Sequence, residues 1–262
     1  MFAAIFELPL WITGAAIVGG LCVYALLGLV LVRRLVLPRL RVRPEDSEFI
    51  GAMVQAVMVF YGLAVALIAV SVWQTHSDVA KIVSQEAAAV AALYRDVGSY
   101  PEPIRSRLQG QLEGYVNYII HDAWPRQAKG QVPAGGVELM NEFQATLTAF
   151  EPETEGQRIL HAEALHAYNE MIHARRLRLD AVGTRLPGIL WFVIFAGALI
   201  GISATFFFKV EDARLHAVQV VLLAAFIGLV ISMTFALDRP FCGDLGLGPG
   251  PYQLVQEQLM KR

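Results

Sequence analysis

Charge is scarce in this chain, and in four stretches it is missing altogether. Asp, Glu, Lys and Arg supply 17% of residues against 56% hydrophobic, and none falls within Leu8–Val32, Phe49–Trp73, Gly188–Phe208 or Leu215–Leu237. A helix in a soluble core needs a wetted, polar face, so these runs exclude a soluble fold. Each is long enough to cross about 30 Å of hydrocarbon at about 1.5 Å per residue. A basic surplus is also missing. Net charge is −2, and Gln74–Pro187 holds eleven Lys and Arg against fourteen Asp and Glu, which excludes a nucleic-acid surface and leaves no nucleic-acid partner expected. With two cysteines, Cys22 in a membrane run and Cys242 beyond the last one, no disulfide framework is expected. The chain has no G-x-x-x-x-G-K-[ST] loop, no G-x-S-x-G elbow and no repeated Asp-x-Asp calcium loop. No catalytic residue and no cofactor is expected, and Met1–Leu10 lacks the basic start of a cleavable signal.

What is present reads as an all-α membrane protein. Four transmembrane helices, two plus two, flank a helical domain inserted between the second and third. The boundaries are 1–73 for the first pair, 74–186 for the domain, 187–237 for the second pair and 238–262 for a polar C-terminal tail. The connection within the first pair holds Arg33, Arg34, Arg39, Arg41 and Arg43, and that within the second holds Lys209 and Arg214. Short basic loops stay inside, so both connections read as cytoplasmic and the domain as extracytoplasmic.

Helical spacing runs through the domain. Val79, Val83, Glu86, Val90, Leu93 and Val97 form a heptad seam continuing straight out of the second crossing. Pro101 and Pro103 restart a helix with Ile104, Leu108, Leu112, Tyr115 and Ile119 on one face, ending before Pro125. Met140, Phe143, Leu147 and Phe150 mark a shorter helix, and a last one is expected over 154–186, running into the third crossing at Pro187. Glu86 is the one carboxylate in an apolar seam. Either it pairs across the domain with Arg175, Arg176 or Arg178, or it faces a water-filled vestibule, where it would disfavour anions. Two Glu-x-x-His pairs, Glu163/His166 and Glu170/His173, stand about 10.5 Å apart along one helix, too far for one dinuclear centre. They read as a solvated or ion-paired face, with no metal expected.

In the second span, Gln55, Met58, Gly62, Ala66 and Ala69 form a stripe that either lines a conduction path or packs. Gly197, Gly201 and Thr205 in the third span, and Ala16 and Gly20 in the first, are small-residue faces that allow close helix approach, within the chain or between copies.

At the end of the fourth span, Leu237-Asp238-Arg239-Pro240-Phe241 and Gly243 make a proline-stopped polar collar. That ending, with Glu86-Ala87, Leu93-Tyr94-Arg95, Trp124-Pro125, Arg175-Arg176-Leu177-Arg178-Leu179, Leu186-Pro187 and Leu190-Trp191, resembles the bacterial bestrophin-like family of unknown function over nearly the whole chain. The family takes its name from bestrophins, homopentameric anion channels whose second membrane helix lines the pore. The resemblance implies a homo-oligomer, a pentamer by analogy, in the lipid bilayer of the bacterial inner membrane, conducting small inorganic ions, with the domain as vestibule. It also implies a cytosolic domain, the reverse of the side assigned by the arginines. The rival reading is a membrane-anchored structural or sensory protein whose helical domain binds a partner.

Overall fold

The computed structural model describes residues 9–39, 44–208 and 210–261, with the side chains of 44–48 left aside. Leu8, Arg41, Arg43 and Lys209, which entered the reading above, lie outside the described residues. In chain order the helices are α1 Leu10–Leu31, α2 Pro44–Val97, α3 Ile104–Tyr118, α4 Trp124–Gln127, α5 Gly135–Thr148, α6 Glu155–Ala181, α7 Gly188–Thr205, α8 Ala213–Leu237 and α9 Gly250–Val255. Single π-helical turns follow α1, α3 and α9, and no strand occurs among the described residues.

The chain divides into two compact units, Met1–Gln74 with Arg185–Asp238, and Thr75–Thr184 with Arg239–Arg262. The first holds the apolar parts of α1, α2, α7 and α8, the four helices long and apolar enough to cross a membrane. Lipid supplies no hydrophobic drive for helix contact, so association relies on close van der Waals packing, which small residues allow. A Cβ on Gly228 of α8 would stand 2.9 Å from the Val18 Cα of α1, and one on Gly28 would strike the Phe206 ring. Several polar groups inside this unit find partners within it, as an apolar surround favours. Tyr24 Oη and Ser203 Oγ lie 2.6 Å apart, and Tyr61 Oη donates to the Ile194 carbonyl at 2.9 Å.

The second unit is built on the seam. Val79, Val83, Glu86, Val90, Leu93 and Val97 are all buried, packed with Leu108, Leu112 and Tyr115 of α3, Met140, Phe143 and Leu147 of α5, and Met171 of α6. Thr154 starts α6 with a capping box, its hydroxyl accepting from the Gln157 N–H while the Gln157 side chain reaches back.

Three boundaries differ from the sequence reading. The α6 helix ends at Ala181 rather than Leu186, its last turn tightened by the Val182 and Gly183 N–H groups donating to the Leu179 and Asp180 carbonyls. Among the described residues, α2 is the helix that runs unbroken from an apolar run into the second unit. Helix geometry also runs past Pro125, which stands at the second position of α4 directly after the π-helical turn Ile119–Ala123. The last residues form no separate polar tail: 239–262 belong to the helical unit, with Phe241, Tyr252 and Val255 buried in its core.

Candidate functional site

In the membrane unit the second span is the least covered. Only 6% of its most apolar window is buried within the chain, against 44% for α8. Its packed side is set by Met58, Tyr61, Val65 and Ile68, which join the core with Ile194, Ala198 and Ile202 of α7. The glycines of α7 make that contact possible. A Cβ on Gly197 would run into the Tyr61 ring, and one on Gly201 would lie 2.5 Å from the Met58 Sδ. The Gly197/Gly201 face is therefore an intrachain contact, whereas Gly19 and Gly20 of α1 have nothing within 4 Å of an added Cβ.

The candidate stripe is divided by this packing. Met58 is half-buried against α7 and Ala69 is half-buried, while Gln55, Gly62 and Ala66 are exposed on the uncovered side. A Cβ on Gly62 would meet nothing within 4 Å. Large apolar side chains, including Met53, Phe60, Leu63 and Leu67, occupy the rest of the uncovered surface. The helix thus presents a small and polar strip beside a bulky apolar one.

The densest electrostatic arrangement lies in the helical unit. Glu86 has no exposed surface, and the Arg178 guanidinium meets it through Nε to Oε2 at 2.6 Å and Nη2 to Oε1 at 3.2 Å. Tyr115 Oη donates to Glu86 Oε1 at 2.7 Å, and Arg178 Nη1 donates to Gln127 Oε1 at 2.7 Å. The guanidinium also lies 5.9 Å from the ring centres of both Trp124 and Tyr252, within cation–π range. Burial alone would push the Arg178 pKa down, but the Glu86 carboxylate and its hydrogen bonds carry it above the ordinary value, so the guanidinium stays charged. Burial, with the Glu86 charge second, raises the Tyr115 and Tyr252 hydroxyls well above theirs. Of the other candidate arginines, Arg175 is buried beside Gly136, its Nη2 3.0 Å from where a Cβ would sit, and Arg176 is exposed. The Glu86 charge is spent inside the unit and faces no open path.

The collar after α8 serves two places. Asp238 accepts the Leu186 N–H at 2.5 Å, tying the end of α8 to the approach to α7. Pro240 and Phe241 are buried, the Phe241 ring 5.5 Å from Trp124, and Arg239 is half-buried. Trp124 Nε1 donates to the Leu247 carbonyl at 2.9 Å. Sequence reasoning did not reach Gln127, Tyr252 or Leu247 as partners, because glycine and proline dominate the stretch carrying the last two. On α6, His166 and Glu170 meet at 3.4 Å on an exposed face. No group of three or more His, Cys, Asp and Glu able to hold a metal occurs among the described residues.

A family model for the bestrophin-like domain matches residues 19–252. The chain belongs to the bestrophin-like family. Two solved structures agree in fold. One is a single-residue variant of a bacterial bestrophin homologue from Klebsiella pneumoniae, with TM-score 0.65 and 10% identity over 95% of this chain and 98% of that one. The other is a variant of a protein described as a membrane protein, with TM-score 0.65 and 10% identity over 95% of this chain and 97% of that one. No match is found among curated proteins. This bestrophin-like chain is thus an integral membrane protein, and Glu86, Trp124, Arg178 and Phe241, which carry the family resemblance in sequence, converge on one buried cluster.

Proposed function

We propose that this bestrophin-like protein is one subunit of a homo-oligomeric, channel-like assembly in the bacterial inner membrane, with α2 nearest the axis. The observation that carries the reading is the uncovered strip of Gln55, Gly62 and Ala66. Lipid chains are matched by large apolar groups, whereas an exposed amide among small residues suits water or another subunit. Met58 and Ala69 border the strip and complete the candidate path for small inorganic ions. Neutralisation of Glu86 by Arg178 removes the one seam charge that would repel anions, which favours anion conduction. Residues 239–261 share a core with 75–184, so an even number of crossings separates them, supplied by α7 and α8. The basic connections put the helical unit on the extracytoplasmic side.

The test is current through purified protein in planar bilayers, with ion-substituted reversal potentials for selectivity. A Cβ on Gly62 meets no neighbour within the chain, so Gly62→Trp should fold and should block or sharply reduce conductance. Unaltered currents from well-folded Gly62→Trp protein would take this face out of the path. Wild-type protein that is a stable monomer by native mass spectrometry, or silent in every ionic condition, would put the anchored structural or sensory role ahead.

A further inference from the structure

The membrane unit holds a half-open cavity of about 240 Å³ at the ends of α1, α7 and α8. At about 30 Å³ per liquid water it has room for roughly eight waters, far more than one bridging molecule. Leu29, Leu37 and Phe206 form an apolar wall, and Arg33, Glu211 and His216 supply the polar groups.

Each polar group is left with a specific need. Arg33 is half-buried and donates from Nη2 to the Val210 and Glu211 carbonyls at 3.2 and 3.3 Å. Those bonds fix the guanidinium at the cavity. They leave the charge without a carboxylate partner among the described residues, since no ion pair to Arg33 occurs there. His216 is 3% exposed, and its Nε2 lies 3.1 Å from the Thr205 carbonyl. A carbonyl only accepts, so Nε2 carries the proton, and in the neutral ring Nδ1 presents a lone pair. That Nδ1 is buried with no hydrogen-bond partner among the described residues. Glu211 lies at the exposed rim.

The cavity therefore asks for an anion at Arg33, a cation at Glu211, and an apolar stem along Leu29 and Phe206. We propose that it is a phospholipid headgroup site for a phosphodiester joined to a primary ammonium. The phosphate would sit on Arg33, where a charge-assisted hydrogen bond is strong. The ammonium would donate to the Glu211 carboxylate at the rim, with an acyl chain leaving over the apolar wall. A quaternary ammonium has no N–H to give, and a glycerol headgroup brings no cation. A soluble phosphate ester would not use the apolar wall.

Full-length protein stripped of lipid in detergent provides the test, with bound lipid counted by native mass spectrometry after adding phosphatidylethanolamine, phosphatidylcholine or phosphatidylglycerol of identical acyl chains. Phosphatidylethanolamine should bind about tenfold more tightly than the other two, one charge-assisted contact's worth of discrimination. Arg33→Gln should remove its retention. Glu211→Gln, at an exposed rim position, should selectively lower phosphatidylethanolamine relative to phosphatidylglycerol. Melting temperature is read beside each variant. Equal binding of the three lipids, or a preference that survives both substitutions, overturns the site. Displacement of phosphatidylethanolamine by millimolar O-phosphoethanolamine overturns the lipid as its source, since a soluble ester would then suffice.

Discussion

Arg178 and Glu86 are 2% and 0% exposed at their side chains, so neither can turn to water when its partner is lost. Glu86→Gln should therefore cost about 3–5 kcal/mol in thermal unfolding, the range for stranding a buried charge. Glu86→Gln combined with Arg178→Met should lie closer to wild type than the sum of the single changes. Equal and additive losses would mean that the two charges do not act as a pair. The seam made Glu86 legible, because a carboxylate at a heptad position has to find a partner. Which arginine answers it was not legible, because that depends on the register of α6 against α2, and three arginines stand within four residues. A second carboxylate gives a pH-dependent case. Burial first, and the charge of Glu163 second, raise the Asp96 pKa. Its ionised form is thus disfavoured in the fold, and the resulting loss of stability is absent below the unfolded value of about 4 and grows as pH rises through the folded one. Asp96→Asn should raise the melting temperature at neutral pH, with the gain vanishing near pH 4.

At the scale of elements, the small-residue faces that looked alike in sequence have different environments. Gly197→Ala places a methyl group against the Tyr61 ring, whose hydroxyl is held by the Ile194 carbonyl, and should cost about 1–3 kcal/mol by overpacking. Gly62→Ala meets nothing and should be neutral or gain up to about 1 kcal/mol from helix propensity. Comparing folded yield and melting temperature of the two in one detergent checks both. The four apolar helices and the seam could be read directly, because periodicity and the absence of charge act within one segment. The face on which Gly197 is used could not, since it depends on where Tyr61 and Met58 fall on another helix. The end of α6 was misplaced because a run of arginines and leucines favours helix, and the steric veto of Pro187 reaches only one residue back.

For the whole molecule, sidedness is the property that sequence and resemblance assign in opposite ways. Gly130 has φ +73°, a conformation that cysteine adopts poorly, so the exposed neighbour Lys129 is the better reporter. With Cys22 and Cys242 replaced, Lys129→Cys should react with an impermeant thiol reagent on intact spheroplasts. Labelling only after lysis would place the helical unit in the cytosol. Composition hid the membership of 239–262, because Gly and Pro in that stretch mimic a linker while Phe241, Tyr252 and Val255 are the residues that pack.

That membership also sets a schedule. Tyr252 closes against Trp124 and Arg178, yet it is made after α7 and α8. At about 5–20 residues per second, the stretch from Thr184 to Tyr252 takes roughly 3 to 14 s to synthesise. Through that interval the ion pair of the helical unit waits without one of its aromatic walls, while the ribosome delivers two more membrane spans. Completion of the helical unit's core is thus deferred until α7 and α8 have been synthesised.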